Sequence, residues 1–345
     1  MKTEQKVLLA FIFVVTFITG YKFLGTMLYS KAIFVIVLIC YANKIKLNAT
    51  EQFFFIPLIF YAFLSLVVNT SDTVVFNILY WFGLPINYLF LKILGQHREF
   101  FWDCRFLIFL SIMTIAEFVA VNFLLDFYTL KNGDFAYIGN TDLVRATSFA
   151  NNASISSSIL ATYFWVLVGK RKLTSFAYVV CPAAMITTAS GAGLILFAVL
   201  GSWWVVYKLN RIGIIVLLVS VTLILLDWFP MLEKTSWDYV SKLYNLKVSD
   251  AMDYFASAQF NEIVFGTLGF GEALSGSHFG WLDMTKTWGV LGVLLVVGSL
   301  LFAKKISVYQ RVVLTGLLLS CLHYPTIFSS GGQFLAAMLA LDRVR

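Results

Sequence analysis

Apolar runs about as long as a bilayer-spanning helix recur from one end of this chain to the other, and no other feature restricts its fold so much. Lipid offers no partner to backbone N–H and C=O groups. A chain that crosses it does so as helices of about 20 mostly apolar residues, or as a closed barrel. The first run, KVLLAFIFVVTFITGYKF, has this length and carries no small-residue cleavage site, so it reads as a first span rather than a removable leader. Runs of this kind place spans at 7–23, 27–42, 53–69, 73–94, 104–125, 153–169, 173–188, 192–208, 212–229, 280–302, 309–328 and 331–342. The chain is 60% hydrophobic and 12% charged, more apolar than a water-exposed exterior of 345 residues accommodates. The expected fold is all-α: a polytopic membrane protein of roughly 12 transmembrane helices (roughly 10–12), with residues 1–345 forming one integral membrane domain. Neither a solenoid-like repeat nor an appended soluble domain is visible.

The charges assign sides. With the N-terminus inside, the cytoplasmic segments hold Lys2 and Lys6; Lys44 and Lys46; Lys92, Arg98 and Arg105; Lys170, Arg171 and Lys172; Lys208 and Arg211; Lys304, Lys305 and Arg311; and Arg343 and Arg345. These are 17 of the 25 basic residues, all in short segments, as the positive-inside bias requires. Both termini are then cytoplasmic. The net charge of +7 reflects this asymmetry and not a nucleic-acid surface. Cys40, Cys104, Cys181 and Cys321 lie in or beside separate runs, with no C-x-x-C spacing, which argues against a disulfide framework and a thiolate metal site.

Two outer loops are long, about 126–152 and 230–279. In the second, Trp237, Val240, Leu243, Tyr244 and Lys247 fall at helical spacing. Ser249 and Asp250 then read as N-cap residues of a following helix through Met252, Phe255 and Ala256. Two short amphipathic helices are expected, lying on the membrane or packing over the bundle.

Arg145, in TDLVRATSFANN, is the only arginine on the outer side. Its planar fork of donors matches phosphate oxygens, and it also suits a plain headgroup anchor. Asn151 and Asn152, and the serines that follow, can hydrogen-bond a sugar or permit close helix packing. His278 is the only outer histidine; it suits a general base or an interfacial residue. Asp283 and Lys286 open the tenth span, Lys286 equally able to snorkel outward. TTASGAGLI, with Ser190, reads as a tight small-residue hairpin or a close-approach turn, and FSSGGQF repeats the theme before the last span. His323 lies inside a span beside Tyr324–Pro325, and Lys31, Glu117 and Asp227 are further charges on the outer half. No Walker A, H-E-x-x-H or G-x-S-x-G motif is present, nor a His/carboxylate set at metal-ligand spacing, so neither metal nor cofactor is expected.

RATSFANN opening a mid-chain span, the TASGAG hairpin, and an outer loop ending FGTLGFGEALSGSHFGWLDMTKTWGVLG together resemble the O-antigen polymerase and O-antigen ligase superfamily of bacterial envelope glycosyltransferases. The motifs cover about 140–300, and the topology covers the whole chain. Two departures stand out: Gly191 follows Ser190 where the family often has arginine, and the large loop offers Lys234, Lys242 and Lys247 in place of a further arginine. The resemblance implies a GT-C-like membrane fold. It also implies glycan transfer from undecaprenyl pyrophosphate at the outer face of the bacterial inner membrane. Arg145 would stabilise the leaving pyrophosphate and His278 would take the proton of the attacking hydroxyl. Asn151, Asn152, Ser190, Lys242, Lys247, Asp283, Lys286, Trp237 and Tyr244 would line the substrate site. The partners would be lipid-linked oligosaccharides as donor and acceptor, membrane lipids, a chain-length regulator and a flippase. Loop aromatics suited to sugar faces, and the compact chain, favour a polymerase over a ligase to lipid A-core. A lipid-linked oligosaccharide flippase is the reading from another class, and it predicts internal repeats and a charged central cavity.

Overall fold

The structure, a computed structural model, describes residues 3–18, 27–41, 43, 45–68, 74–124, 138, 142–209, 237–266, 279–302, 307–324 and 326–341. Every regular element among these residues is helical. The helices are α1 (Thr3–Phe17), α2 (Met27–Cys40), α3 (Ala49–Val68), α4 (Val74–Leu94), α5 (Cys104–Phe123), α6 (Ala153–Gly169), α7 (Ser175–Thr187) and α8 (Gly191–Leu209). They continue with α9 (Trp237–Ser257), α10 (Phe260–Phe265), α11 (Gly280–Phe302), α12 (Val308–Leu319) and α13 (Ser330–Leu341). The expected ninth span at 212–229 and His278 lie outside the described residues.

The centre of the molecule is α13, in which every residue from Ser330 to Leu341 is buried. Its sequence, SGGQFLAAMLAL, is small or apolar all round, as a helix surrounded by others must be. It packs on α4, α1, α6 and α12. Phe334 meets Phe17, Phe34 and Phe101 in edge-on and stacked ring contacts. Another close pair is α6 with α8, where a Cβ on Gly193 would stand 1.9 Å from Ser157 Oγ. Only glycine lets the two backbones come so near.

Helix ends follow local chemistry. Asp103 caps α5 by accepting from the Arg105 N–H, and its carboxylate also pairs with the exposed Arg105 guanidinium. At α3, Asn48 and Glu51 satisfy each other's backbone N–H groups. The buried Glu51 carboxylate also accepts from Tyr88 at 2.6 Å and pairs with Lys92.

The structure corrects three expectations. In the large loop α9 runs unbroken through Ser249 and Asp250, where the sequence leads one to expect a cap between two helices, and the short α10 follows only after Ser257. No glycine or proline interrupts KVSDAM, and Ser249 and Asp253, one turn apart, bond to each other on the exposed side. The segment 309–328 is not one helix: α12 ends at Leu319 and short 3-10 turns follow, with His323 capping the first. Pro325, itself outside the described residues, offers no N–H and disfavours helical geometry at Tyr324. Finally, α11 is broken at Gly289, with φ 65° and ψ 174°, which only glycine adopts readily.

Among the described residues one helix, Cys104–Phe123, has the length and apolarity to cross a membrane, and the bent pair Gly280–Lys286 and Trp288–Phe302 adds a second if counted as one span. Helices α12 and α13 have 12 residues each, about 18 Å of helix. Large apolar side chains nevertheless cover the exterior. Phe53, Ile56, Phe60 and Phe63 on α3, Phe109, Ile112, Val119 and Phe123 on α5, and Ile195, Val199 and Val206 on α8 are all exposed.

Candidate functional site

Arg145 sits in an irregular strip, residues 142–152, laid across α5 and leading into α6. Three side chains of α5 hold the strip. Asn122 bonds Val144 in both directions, donating to its carbonyl and accepting from its N–H, each at 2.8 Å. Glu117, 1% exposed, accepts at one carboxylate oxygen from the Thr147 N–H (2.8 Å), the Thr147 hydroxyl (3.2 Å) and the Ser148 N–H (2.9 Å). Thr114, one turn before Glu117, shares a hydrogen bond with the Ser148 hydroxyl. Successive N–H groups turned toward one carboxylate form a small anion nest, here filled by the protein's own side chain.

The other walls come from α6 and the α7–α8 turn. The Ala146 N–H donates to Thr187 O at 3.0 Å. Ser156 donates its hydroxyl to Thr147 O and accepts from the Ala150 N–H. Asn152 is the N-cap of α6, its Oδ1 accepting from the Ser154 and Ile155 N–H groups. Ser190, 2% exposed, donates to Ser154 at 3.0 Å, joining the TASGAG turn to the start of α6. Two motifs more than thirty residues apart thus form one piece of structure.

Backbone strain concentrates here. Ser148 (φ 60°), Asn151 (φ 54°) and Ala189 (φ 47°) are three of the four non-glycine residues with positive φ among the described residues. Each such conformation costs on the order of 1–3 kcal/mol and persists only where surrounding contacts over-determine it. The contacts just described do so. The hairpin's unusual φ falls on Ala189 and not on the glycines, which instead open α8.

With its neighbours tied down, Arg145 is half-buried, and its Nε is buried without a hydrogen-bond partner among the described residues. An unpaired buried donor is costly, and an anion offering two oxygens is what a guanidinium fork best accepts. Arg145, Asn151, Asn152 and Ser190 are therefore gathered, with Asn152 and Ser190 bonded into the framework.

A second group lies on α9–α11. Lys247 donates to Leu322 O at 2.8 Å and stands 6.0 Å over the Phe279 ring; burial lowers its pKa. Lys286 is 5.6 Å from the centre of the Tyr254 ring, and Asp283 is buried in the first turn of α11. The Tyr61 hydroxyl of α3 lies between the carbonyls of Trp288 (2.7 Å) and Phe265, to either of which its one proton can be donated, bracing α10 against the break in α11. Lys242 is exposed beside a shallow hollow formed with Ser241, Asn245, Leu246 and Ser249, and Tyr244 is exposed. Trp237 opens α9, and its side chain lies outside the described residues, as does His278.

Glu117, Thr114 and Asn122 are the residues that sequence reading missed as site components. The signal was a carboxylate in an otherwise apolar run, with polar side chains close by on the same helix. Among the described residues no three His, Cys, Asp or Glu side chains gather as a metal site would need. No family model matches the chain, and no curated protein or solved structure matches it.

Proposed function

We propose that this chain is a multi-pass membrane glycosyltransferase of about twelve spans, with both termini cytoplasmic. In this reading it is a polysaccharide polymerase that uses undecaprenyl-pyrophosphate-linked glycan. The observation that carries the reading is Arg145: an arginine whose buried Nε has no partner among the described residues, on a strip fixed by α5, α6 and the α7–α8 turn. The membrane placement is supported by polarity turned inside out. Phe and Ile faces point outward while Glu51, Glu117, Asp283, Gln310 and Gln333 are buried. Half-length and broken helices suit a membrane protein wherever neighbouring helices enclose their ends.

In the proposed step an acceptor sugar hydroxyl attacks the anomeric carbon of the donor. The C–O bond to pyrophosphate breaks, and the lipid pyrophosphate leaves with the electron pair. Arg145 stabilises that charge through a fixed fork that needs no reorganisation. The hydroxyl proton passes to His278, and direct displacement inverts the anomeric centre. Lys247 and Lys286 add positive charge on α9 and α11.

The test uses purified protein in lipid nanodiscs with undecaprenyl-pyrophosphate-linked repeat units, reading glycan length on gels. Arg145→Ala should lower the extension rate by about 10²–10³-fold, and His278→Ala by about 10²–10⁴-fold. Wild-type extension by both variants would remove the site assignment. Transbilayer movement of the lipid without extension would replace the enzyme by a flippase, and transfer only to a lipid A-core acceptor would make it a ligase.

A further inference from the structure

Helix α9 carries three different surfaces, and their order around the helix fixes where it can lie. At about 100° per residue, Lys247, Ala251 and Tyr254 occupy one sector of about 60°. Each is only partly exposed, and Lys247 and Tyr254 make the contacts to Leu322, Phe279 and Lys286. The next sector, about 80° wide, holds Tyr244, Val248, Met252 and Phe255, all exposed; Tyr244 and Met252 are 65% and 66% exposed. The sector after that holds Lys242, Asn245, Ser249 and Asp253, also exposed. Going around the helix, the order is protein, apolar stripe, polar face, with exposed Leu246 and Asp250 between the polar face and the protein side.

A helix stranded in water would gain nothing from an uncovered apolar stripe beside its docking face. A helix at the rim of a membrane protein meets this sequence of surroundings: protein on one side, acyl chains below, water above. The elements that α9 touches carry exposed apolar side chains of their own. Tyr254 bonds Glu262 O of α10, where Phe260 and Phe265 are exposed, and α11, packed on α10, exposes Val290, Leu291 and Leu294. Lys247 bonds Leu322 O, where Leu319 and Leu322 are exposed. Tyrosine and phenylalanine within the stripe match the composition of interfacial helices.

We propose that α9 is an interfacial helix whose Tyr244–Val248–Met252–Phe255 stripe is buried at the headgroup–acyl boundary of the outer leaflet. Docking on lipid sets the height of Lys247 and Lys286 at the headgroups, where a lipid-linked pyrophosphate is presented. The proposal rests on the membrane placement given above, and the control position separates the two.

In a Cys40→Ser background the remaining cysteines, Cys104, Cys181 and Cys321, are buried. Val248→Cys, Met252→Cys, Ser249→Cys, Asp253→Cys and the control Ile112→Cys on α5 are each labelled with an environment-sensitive fluorophore in nanodiscs of phosphatidylethanolamine and phosphatidylglycerol. Quenching is read with spin-labelled lipid and with aqueous cobalt. Labels at 248 and 252 should be quenched by the lipid at least about twofold more than labels at 249 and 253, with the order reversed for cobalt. If 112 is quenched by lipid while 248 and 252 respond to cobalt like 249 and 253, the stripe faces water and the proposal is wrong. Shielding of 248 and 252 from both quenchers assigns the stripe to a protein surface, such as a second copy, and equally overturns it. Failure of 112 to respond to lipid refutes the membrane placement itself.

Discussion

Glu117→Ala tests whether the Arg145 strip is held as described. Glu117 is 1% exposed, and its single oxygen accepts two backbone N–H groups and one hydroxyl. Removing it withdraws a charged acceptor from two backbone donors that water cannot easily reach. Each costs about 1–3 kcal/mol when left without an acceptor, so the expected loss is roughly 2–6 kcal/mol, before any contribution from the cavity. The positive φ at Ser148 loses its restraint at the same time. Glu117→Gln keeps an acceptor oxygen in place and gives up only the charge assistance, so its loss should be well under half as large. In a Cys40→Ser background, stability is read from the thermal exposure of Cys104, Cys181 and Cys321, which are buried in the native protein, with a thiol-reactive dye. The expected order of melting temperature is wild type, Gln, Ala. On the proposed function, glycan extension per folded molecule should also fall for Ala, because Arg145 is no longer presented in one position. An alanine variant that melts and extends glycan like the wild type would show that Glu117 does not organise the strip.

Gly193→Ala should destabilise by about 1–3 kcal/mol, because its Cβ would stand 1.9 Å from Ser157 Oγ, and Ser157→Gly in the same chain should recover part of the loss. Gly289→Ala combines a φ of 65° with a Cβ only 2.2 Å from Val264 O. It should lower the melting temperature and separate α10 from α11, measured as faster amide exchange at Val264 and Phe265. For Lys247 the folded pKa lies below its ordinary value, so folding is penalised wherever the lysine is protonated in both states. The penalty fades as pH rises through the folded pKa toward about 10.4. Wild type should therefore gain melting temperature relative to Lys247→Met across that alkaline window, and parallel curves for the two would contradict the buried position of the ammonium.

Much of the helical layout can be read from apolar run length, because a backbone deprived of water must bond to itself. The runs expected at 153–169 and 73–94 are the helices Ala153–Gly169 and Val74–Leu94, within a residue. Failures occur where a local signal has more than one solution. Ser249 and Asp250 are good caps and are also tolerable helix-surface residues, and the unbroken α9 shows that the second role prevailed. The span at 280–302 has the right length and composition, yet whether a glycine in it bends or passes silently depends on what docks there. Here Val264 of α10 occupies the space a side chain would need.

The residues alone establish an all-helical chain rich in apolar runs, a concentration of small polar residues at 147–158, and one arginine, Arg145, just before that segment. Those properties are local, being set by composition and by periods of a few residues. That Glu117 and Asn122 of α5 grip the backbone around Arg145, and that Ser190 of a distant turn meets Ser154, are long-range pairings. They arise only when α5, α6 and the α7–α8 turn close on one another. Each hydrogen-bonding side chain is equally plausible against many partners until packing leaves it one.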